Sequence, residues 1–383
     1  MEKNAKCDAV RLVDGVLADA VHSGASDIHF EPTAGGLEVR FRLDGTLKTV
    51  ETLPKSVSES IISRLKVQGG LLTYRSDIPQ EGRIEYVATQ TESPAGRVTD
   101  MRLAVFPTIY GQRAVVRLFF ENAGLMELDK LGLNATIEES LKAFAAGNQG
   151  VLLLTGPAGS GKSTTLAALL RYIRRICSGK SIVALEDPVE RAIDGITQVQ
   201  IEPRGELTFA VALRSLLRQD PEVLMLGEIR DAETAQIVVE AGLTGHLLMS
   251  TLHSGSCSGA LLRLLEMGIE PYQATSAISA ILNQRLVRRL CENCKRRDEA
   301  TGKWEAVGCE LCLNTGYAGR MLLAEQVHLD GTLRKAILQR VDLETLDTLL
   351  AERGHMSLVQ DGRRLMAQGL TTESELIRVC GQC

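Results

Sequence analysis

The spacing of apolar residues predicts helices and strands in separate runs over the first part of the chain. Apolar residues recur three and four apart from Ala9 to Val21, as on one face of a helix. Residues 37–43 alternate apolar and polar side chains before the turn Asp44-Gly45, which predicts a hairpin strand. The same patterns predict one more helix and two more strands, over residues 57–68, 101–105 and 114–118. Residues 1–121 are therefore expected to form an α+β domain.

The pattern changes after a break that we interpret as a linker, residues 122–135, in which Asn134 is placed to cap the next helix. Short, continuously apolar runs then alternate with helical spacing, which predicts a mostly parallel sheet flanked by helices. The predicted strands are 151–154, 181–185, 223–226 and 247–253. Residues 323–383 are expected to be a helical tail, with amphipathic spacing over Leu333–Leu350 and Leu358–Met366 and a last helix capped by Thr371 or Thr372. Residues 136–383 are thus expected to form a second domain of the α/β class.

Composition narrows the class of protein. The chain has 383 residues, 44% hydrophobic and 24% charged, enough for two or three globular domains. Its net charge of −5 gives no global signal for nucleic-acid binding. It has no apolar run of about 18 residues and no apolar signal-peptide core near its first residue. We therefore expect a soluble, cytoplasmic protein.

A phosphate-binding loop follows the strand at 151–154. The stretch from Gly156 to Ser163 fits G-x-x-x-x-G-K-[ST], and a helical pattern follows it. Glycines let backbone N–H groups surround a phosphate, Lys162 can reach the β- and γ-phosphates, and the Ser163 hydroxyl can ligate magnesium. The alternative, a glycine-rich turn, does not account for this order of strand, loop and helix. The expected ATP-binding residues are Gly156, Pro157, Ala158, Gly159, Ser160, Gly161, Lys162, Ser163 and Thr164.

Acidic residues follow two of the predicted buried strands. Glu186 and Glu190 follow 181–185, at the edge where a parallel sheet binds its ligand, and could position water or tune the magnesium site. Glu228 follows 223–226 in a Walker B arrangement and can deprotonate the attacking water. The magnesium-ligating acid that usually precedes it is replaced by Gly227, so we expect magnesium to be held by Ser163, water and an outer carboxylate. The alternative for Glu186 and Glu190 is a solvated acidic loop that begins a helix, and the alternative for Glu228 is a surface acid at the end of a strand.

Three arginines and two histidines are further candidates. Arg83, Arg102 and Arg117 lie beside strand-like sequence and could reach a nucleotide phosphate, although a salt bridge or solvated face is the more common role of such residues. His246 precedes the predicted strand 247–253, and His253 is its last residue. His253 could sense the γ-phosphate or bond across a subunit interface, although a histidine at a strand end is usually structural.

Four cysteines form two pairs, Cys291-x-x-Cys294 and Cys309-x-x-Cys312. Each pair can supply half of a tetrahedral thiolate site, so we expect structural zinc in a module over residues 291–322. Free thiols or redox pairs are the alternative. The terminal pair, Cys380 and Cys383, has no partner pair and is expected to bind no metal.

Ordered motifs along nearly the whole chain resemble the ATPases of type II secretion and type IV pilus assembly. ASDIHFEP and RLDGTL look like the family's N-terminal domain. GPAGSGKSTTL, LEDPVE, LRSLLRQDPEVLMLGEIRD and AGLTGHLLMSTLH look like its phosphate loop, aspartate box, Walker B signature and histidine box. NQRLVRRLC and the paired cysteine motifs look like the zinc-containing assembly-type members.

The resemblance implies a RecA-like P-loop NTPase core with a smaller, PAS-like N-terminal domain. It implies a cytoplasmic homo-hexamer that hydrolyses ATP, uses Mg²⁺ and Zn²⁺, and associates peripherally with an inner-membrane platform protein. It also implies that Arg83, Arg102 and Arg117 organise the nucleotide within or between subunits. The candidate catalytic residues, including those that the resemblance supports, are Lys162, Glu186, Glu228, His246 and His253.

Two departures from the family pattern affect these expectations. The segment after His253 reads Ser254-Gly255-Ser256-Cys257, where the family usually continues with Thr-Asn. The chain also begins close to the ASDIH-type domain, so we expect it to lack the extra N-terminal domain with which many secretion members bind their membrane partner.

Three other functions compete with an assembly motor. A pilus retraction motor is disfavoured because such motors typically lack the cysteine module. A nucleic-acid translocase on a RecA-like core is disfavoured by the acidic balance and the absence of a basic-aromatic patch. A catalytically inactive ring is disfavoured by the presence of Lys162, Ser163 and Glu228.

Overall fold

A computed structural model describes residues 2–85, 96–121, 127–202 and 205–381, with side chains from residue 9 onward and excluding that of Glu121. The chain divides into two compact units, residues 1–123 and 124–383. Residues 122–126 of the predicted linker and Cys383 of the terminal pair lie outside the described residues.

The first unit is a six-stranded antiparallel sheet with two helices. Its strand order is β3-β2-β1-β6-β5-β4. Alternation along β5 buries Met101, Leu103 and Val105 on one face, where they join the apolar core formed with both helices. The elements are α1 (Glu2–His22), β1 (Asp27–Pro32), β2 (Gly36–Leu43), β3 (Thr46–Pro54), α2 (Lys55–Gln68), β4 (Gln80–Arg83), β5 (Arg97–Thr108) and β6 (Gly111–Glu121). The predicted α+β class is confirmed.

The second unit is a seven-stranded sheet with helices on its faces. Its elements up to β11 are α3 (Ala135–Ala145), β7 (Gly150–Thr155), α4 (Lys162–Ile176), β8 (Ile182–Glu186), β9 (Thr197–Gln200), α5 (Phe209–Leu216), β10 (Val223–Leu226), α6 (Ala232–Leu243) and β11 (Leu247–Leu252). They are followed by α7 (Cys257–Glu266), α8 (Pro271–Ala277), β12 (Ile278–Leu290), β13 (Lys295–Arg297), β14 (Trp304–Ala306), β15 (Tyr317–His328), α9 (Gly331–Leu338), α10 (Leu343–Glu352), α11 (Leu358–Ala367) and α12 (Glu373–Cys380).

The strand order in this sheet is β15-β12-β7-β11-β10-β8-β9. All neighbouring pairs are parallel except β12 with β15, so the predicted mostly parallel sheet is confirmed. The four strands predicted from apolar runs lie side by side in the middle, where helices bury both faces. The long hairpin of β12 and β15 was not predicted, because its mixed polar sequence lacks the continuous apolar run of a central strand.

The helical tail differs from its prediction in one place. The stretch predicted as continuous amphipathic spacing, 333–350, is two helices, because Arg340 has a positive φ of 54° and Asp342 begins a new helix. Asp342 Oδ1 accepts a hydrogen bond from the backbone N–H of Thr345 at 2.8 Å. The predicted caps are confirmed at Asn134, which caps α3, and at Thr372, which caps α12.

None of the helices in the described part of the chain has the length and apolar character needed to cross a bilayer.

Candidate functional site

The candidate site is a cleft of about 300 Å³ at the carboxyl ends of β7, β8, β10 and β11. Parallel strands direct their carboxyl ends to the same edge, so the loops that follow them converge there. The cleft is lined by five of the predicted binding residues and three of the predicted catalytic partners: Ala158, Gly159, Lys162, Ser163, Thr164, Glu186, Glu228 and His253. Gly156, Pro157, Ser160 and Gly161 belong to the same loop but do not line the cleft.

Two glycines of the loop are needed for its shape. Gly161 caps the N-terminus of α4 with a φ of 93°, a conformation that side-chain-bearing residues rarely adopt. A Cβ on Gly156 would lie 2.5 Å from the backbone oxygen of Gln284, so only glycine fits beside β12. The first residue of α4 is Lys162, and the helix therefore directs its positive N-terminal end at the cleft.

The Lys162 ammonium is held by the loop itself. Its Nζ donates to the carbonyl oxygens of Gly156 at 2.8 Å and Pro157 at 3.0 Å. Burial lowers its pKa, with Glu228 opposing and the charge of Arg285 adding to the decrease. An ammonium whose charge is disfavoured in this way gains by contact with an anion, as a phosphate would provide.

Glu228 is held between a histidine and an arginine. His253 Nε2 lies 3.3 Å from Glu228 Oε2, and Arg230 Nε donates to Glu228 Oε1 at 2.7 Å. Arg230 Nη1 also pairs with Asp187 Oδ2 at 3.2 Å, and so joins the loops after β8 and β10. Sequence reasoning missed Arg230 and Asp187 as site residues, although both lie inside the quoted LEDPVE and GEIRD motifs.

Gly227 follows β10 and lies close to the ends of the neighbouring strands β8 and β11. A Cβ there would approach the Leu185 carbonyl oxygen to 3.3 Å, and the Gly227 carbonyl accepts a hydrogen bond from Thr251 Oγ1 at 2.7 Å. A side chain at this position would therefore be in tight contact with the end of β8.

Glu186 lies at the end of β8, and its Oε1 accepts a hydrogen bond from Gln198 Nε2 at 2.8 Å. Burial raises the pKa of its carboxyl, and the nearby charge of Glu190 adds to the increase. Both acids line the cleft.

His246 lies away from these residues. It precedes β11, whereas the cleft is at the carboxyl end of that strand, and it does not line the cleft. Its Nδ1 is 3.1 Å from the Ala241 carbonyl oxygen and 3.3 Å from Thr244 Oγ1. The chain therefore brings His253 to Glu228 but places His246 at the opposite end of the same strand.

The three candidate arginines form a row in the first unit. Arg83 on β4 pairs with Arg102 on β5, and Arg102 pairs with Arg117 on β6, so the three side chains share one face of the sheet. Their side chains are 60–70% exposed. Asp100 binds Arg83 at 2.6 Å and Arg102 at 3.2 Å, and Asp27 binds Arg117 at 2.9 Å. The sequence identified each arginine but not their alignment.

The two cysteine pairs converge on one point. The sulfur atoms of Cys291, Cys294, Cys309 and Cys312 all lie within 4.8 Å of one another. Three of the separations are 3.9, 3.8 and 3.7 Å. Zinc bound tetrahedrally by four sulfurs would require about 3.8 Å, from Zn–S bonds of about 2.3 Å. The four-sulfur geometry therefore fits zinc.

The surroundings of the sulfurs favour a bound cation. Burial raises the pKa of Cys294 to about 12. Burial opposes ionisation of Cys312 as well, but backbone N–H groups of Cys309 and Gly316 lower its pKa to about 6. Four thiolates within 4.8 Å of one another repel unless a positive charge compensates them, and a divalent metal supplies that charge.

Comparison with known proteins agrees with the fold. The family model described as "Type II/IV secretion system protein" matches residues 2–378. The type II secretion system ATPase E of Vibrio cholerae is 39% identical over 394 residues, which cover 99% of this chain and 76% of that protein. The type IV pilus assembly ATPase PilB of Thermus thermophilus is 39% identical over 386 residues, which cover 96% of this chain and 42% of that protein.

A solved structure of the pilus retraction motor PilT with bound ADP shares the fold. It has a TM-score of 0.60 at 24% sequence identity, covering 95% of each chain. The family model and the relatives together decide the family. This chain belongs to the type II/IV secretion system protein family, that is, to the secretion and pilus-assembly ATPases.

Proposed function

We propose that this chain is an ATP-driven motor that powers assembly of a type IV pilus or of a type II secretion pseudopilus. In this proposal it works in the cytoplasm as a homo-hexamer, bound peripherally to an inner-membrane platform protein. The observation that carries the proposal is the cleft in which Lys162, Ser163, Glu228 and His253 meet at one edge of a parallel sheet. The relatives' names supply the two processes.

The phosphate loop performs the binding step. Lys162 exchanges its two carbonyl acceptors for phosphate oxygens of ATP, while the N-terminal end of α4 stabilises their negative charge. Ser163, one residue into the helix, supplies a hydroxyl to magnesium, and Glu186 is the outer carboxylate in this arrangement. Magnesium, when bound, neutralises charge on the phosphate oxygens.

Glu228 performs the proton-transfer step. Its carboxylate accepts a proton from the attacking water, and the contacts with Arg230 and His253 fix the orientation of its oxygens. His253 thereby links the state of the γ-phosphate to β11. For His246 the resemblance is the only support, because the residue lies at the other end of that strand.

The arginine row and the cysteine cluster have distinct proposed roles. Arg83, Arg102 and Arg117 organise the nucleotide within or between subunits, a role supported by their exposure and common face. The four cysteines bind one structural zinc, which has no open position for chemistry and fixes the hairpin of β13 and β14.

ATP hydrolysis by the purified chain tests the enzymatic part of the proposal. We expect Mg²⁺-dependent release of phosphate by the wild type and none by Lys162→Ala, which should also lose nucleotide binding. Lys130→Ala, outside the cleft and more than half exposed, is the matched control. Equal hydrolysis by wild type and Lys162→Ala would contradict the proposal.

Co-purification from membranes tests the motor and its pathway. A pilus platform protein or a secretion platform protein in the complex would decide between the two processes. Hydrolysis stimulated by DNA, with no membrane partner recovered, would instead support a nucleic-acid translocase. A cell phenotype of excess surface pili on loss of the protein would support the retraction motor.

A further inference from the structure

Strand β12 runs past the end of its neighbour β7 and along the phosphate loop. The parallel register ends where Asn283 pairs with Thr155, the last residue of β7. The next residues, Gln284 and Arg285, therefore lie beside the loop that begins at Gly156. The backbone oxygen of Gln284 and Nη1 of Arg285 lie 2.5 and 3.2 Å from where a Cβ on Gly156 would be.

Gln284 holds the phosphate loop directly. Its side chain is fully buried, and its Nε2 donates to the carbonyl oxygen of Ser160 at 2.9 Å. Ser160 is also buried, at 3% exposure, and it immediately precedes Gly161, the N-cap of α4. The hydrogen bond therefore holds the loop from a residue that does not line the cleft.

Arg285 holds the segment after His253. Its Nη2 donates to the carbonyl oxygen of Gly255 at 2.9 Å, and its Nη1 donates to Asn283 Oδ1 at 3.1 Å and to Gln284 O at 3.2 Å. Asn283 Nδ2 donates to the same Gly255 oxygen at 3.0 Å. Thr155 Oγ1 donates to the adjacent carbonyl, that of Ser254, at 3.0 Å.

All three hydrogen-bond acceptors of Arg285 are uncharged, and the carboxylate of Glu325, which accepts from Asn283 at 2.8 Å, acts on the Arg285 charge electrostatically. The guanidinium therefore acts through its geometry: it is planar and rigid, and it donates to Asn283 and Gly255 at the same time.

Together these contacts fix the two halves of the site to one strand. The phosphate loop is held through Ser160, and the His253 segment is held through Ser254 and Gly255. Two residues before Gly255, His253 contacts Glu228. We propose that Arg285 and Gln284 are positioning residues of the ATPase, with Arg285 aligning His253 and Glu228 for hydrolysis and Gln284 shaping the phosphate loop for nucleotide binding.

This inference rests on the proposed ATPase function. It predicts different kinetic effects for substitutions of two neighbouring residues, Arg285 and Gln284. Arg285→Gln removes the fork, so kcat should fall by about tenfold to a hundredfold, with KM for ATP within about twofold of wild type. Gln284→Met keeps the shape but removes the donor to Ser160, so KM should rise about tenfold with kcat largely kept. Arg285→Lys should recover part of the loss, because an ammonium can reach Gly255 but cannot span both acceptors.

Hydrogen–deuterium exchange gives a readout that is independent of activity. Amides of residues 253–256 should exchange at least about tenfold faster in Arg285→Gln than in wild type, because the segment loses one of its three holding donors. Arg289→Gln is the matched control, since Arg289 lies on the same strand, is about half exposed and pairs with Glu292 at 3.2 Å. It should change neither the kinetics nor the exchange.

The outcomes distinguish a failure of the proposed function from a failure of the positioning role. No hydrolysis by wild type would contradict the proposed function, while faster exchange in Arg285→Gln would still support the positioning role. Hydrolysis by wild type with an unchanged kcat in Arg285→Gln would overturn the inference. So would a rise in KM alone for Arg285→Gln, or equal losses in Arg285→Gln and Arg289→Gln.

Discussion

His253 Nε2 lies 3.3 Å from Glu228 Oε2, which joins the loops that follow the parallel neighbours β11 and β10. The other oxygen of Glu228 accepts from Arg230, which also pairs with Asp187 after β8. Three consecutive strands of the sheet, β11, β10 and β8, are thereby linked through one carboxylate. We therefore expect a substitution at any of the three strand ends to alter the position of the Glu228 carboxylate, the proposed base.

Replacing Glu228 by Gln should separate nucleotide binding from turnover. The amide keeps the size of the side chain but cannot accept a proton, so kcat should fall by about 10²- to 10⁴-fold while ATP still binds. Phosphate release and equilibrium ATP binding measure the two effects. Glu292→Gln, on the exposed surface of the cysteine module, is the control. Hydrolysis at the normal rate by the Glu228 variant would show that another group is the base.

The partly buried carboxyl of Glu186 predicts a pH-dependent stability. Because burial raises its pKa above the unfolded value, the folded chain holds this proton more tightly than the unfolded chain. The stabilising contribution of Glu186 is present below the pKa that the group has in the unfolded chain. It is lost as pH rises through the raised pKa of the folded chain. Glu186→Gln avoids the buried charge and still offers an acceptor to Gln198.

Melting temperatures across pH measure this effect. The Glu186→Gln variant should melt higher than wild type at pH 8, and the difference should shrink on acidification towards the ordinary glutamate range, about pH 4. The exposed Glu206→Gln variant should track wild type at every pH. A difference that grows on acidification would contradict the direction assigned to the Glu186 pKa.

Metal analysis should find about one zinc per chain, bound by the four convergent cysteines. Cys312→Ser should lose that zinc, and because metal binding is coupled to folding, the module should lose several kcal/mol of stability. Removal of zinc by a chelator should reproduce the loss in wild type. Cys177→Ser, at an isolated cysteine, should keep the metal. A stable wild-type protein without metal would exclude zinc as a structural element.

Glu375 predicts a stability effect at the C-terminal helix. It is 1% exposed, and it accepts from Arg288 Nη2 at 2.7 Å and Arg378 Nη2 at 2.6 Å, which attaches α12 to β12. Glu375→Gln leaves both arginines without their carboxylate, which should lower the free energy of unfolding by roughly 3 kcal/mol. Denaturant titration measures the change. Glu373→Gln, on the same helix with a half-exposed side chain, should cost much less.

The same carboxyl gives a second pH dependence with the opposite sign. Burial opposes ionisation of Glu375, but hydrogen bonds from Arg378 and Arg288 prevail and lower its pKa. Its contribution is therefore present above the unfolded pKa and is lost as pH falls through the lowered folded pKa. The difference between wild type and Glu375→Gln should narrow in that acidic window, and a constant difference would contradict the assignment.

Many of the residues that line the cleft could be named from local sequence. The phosphate loop needs glycines at fixed offsets, so Gly156, Gly161 and Lys162 identify it without tertiary information. The central strands were predictable because burial on both faces demands continuous apolar runs. Strands β12 and β15 were not, since their partly exposed hairpin leaves no such run, and Arg285 and Gln284 were therefore not recognised as neighbours of the loop.

The sequence by itself determined the residue types and their order: a phosphate loop, acids after buried strands, two cysteine pairs and three arginines on strands. Tertiary structure alone decided which of them meet. Parallel pairing of β10 and β11 brings His253 to Glu228, while His246, at the other end of β11, lies apart. Register alone aligns Arg83, Arg102 and Arg117 in one row. The physical reason is that residue types follow from local chemistry, whereas proximity follows from strand order and register, which depend on long-range packing.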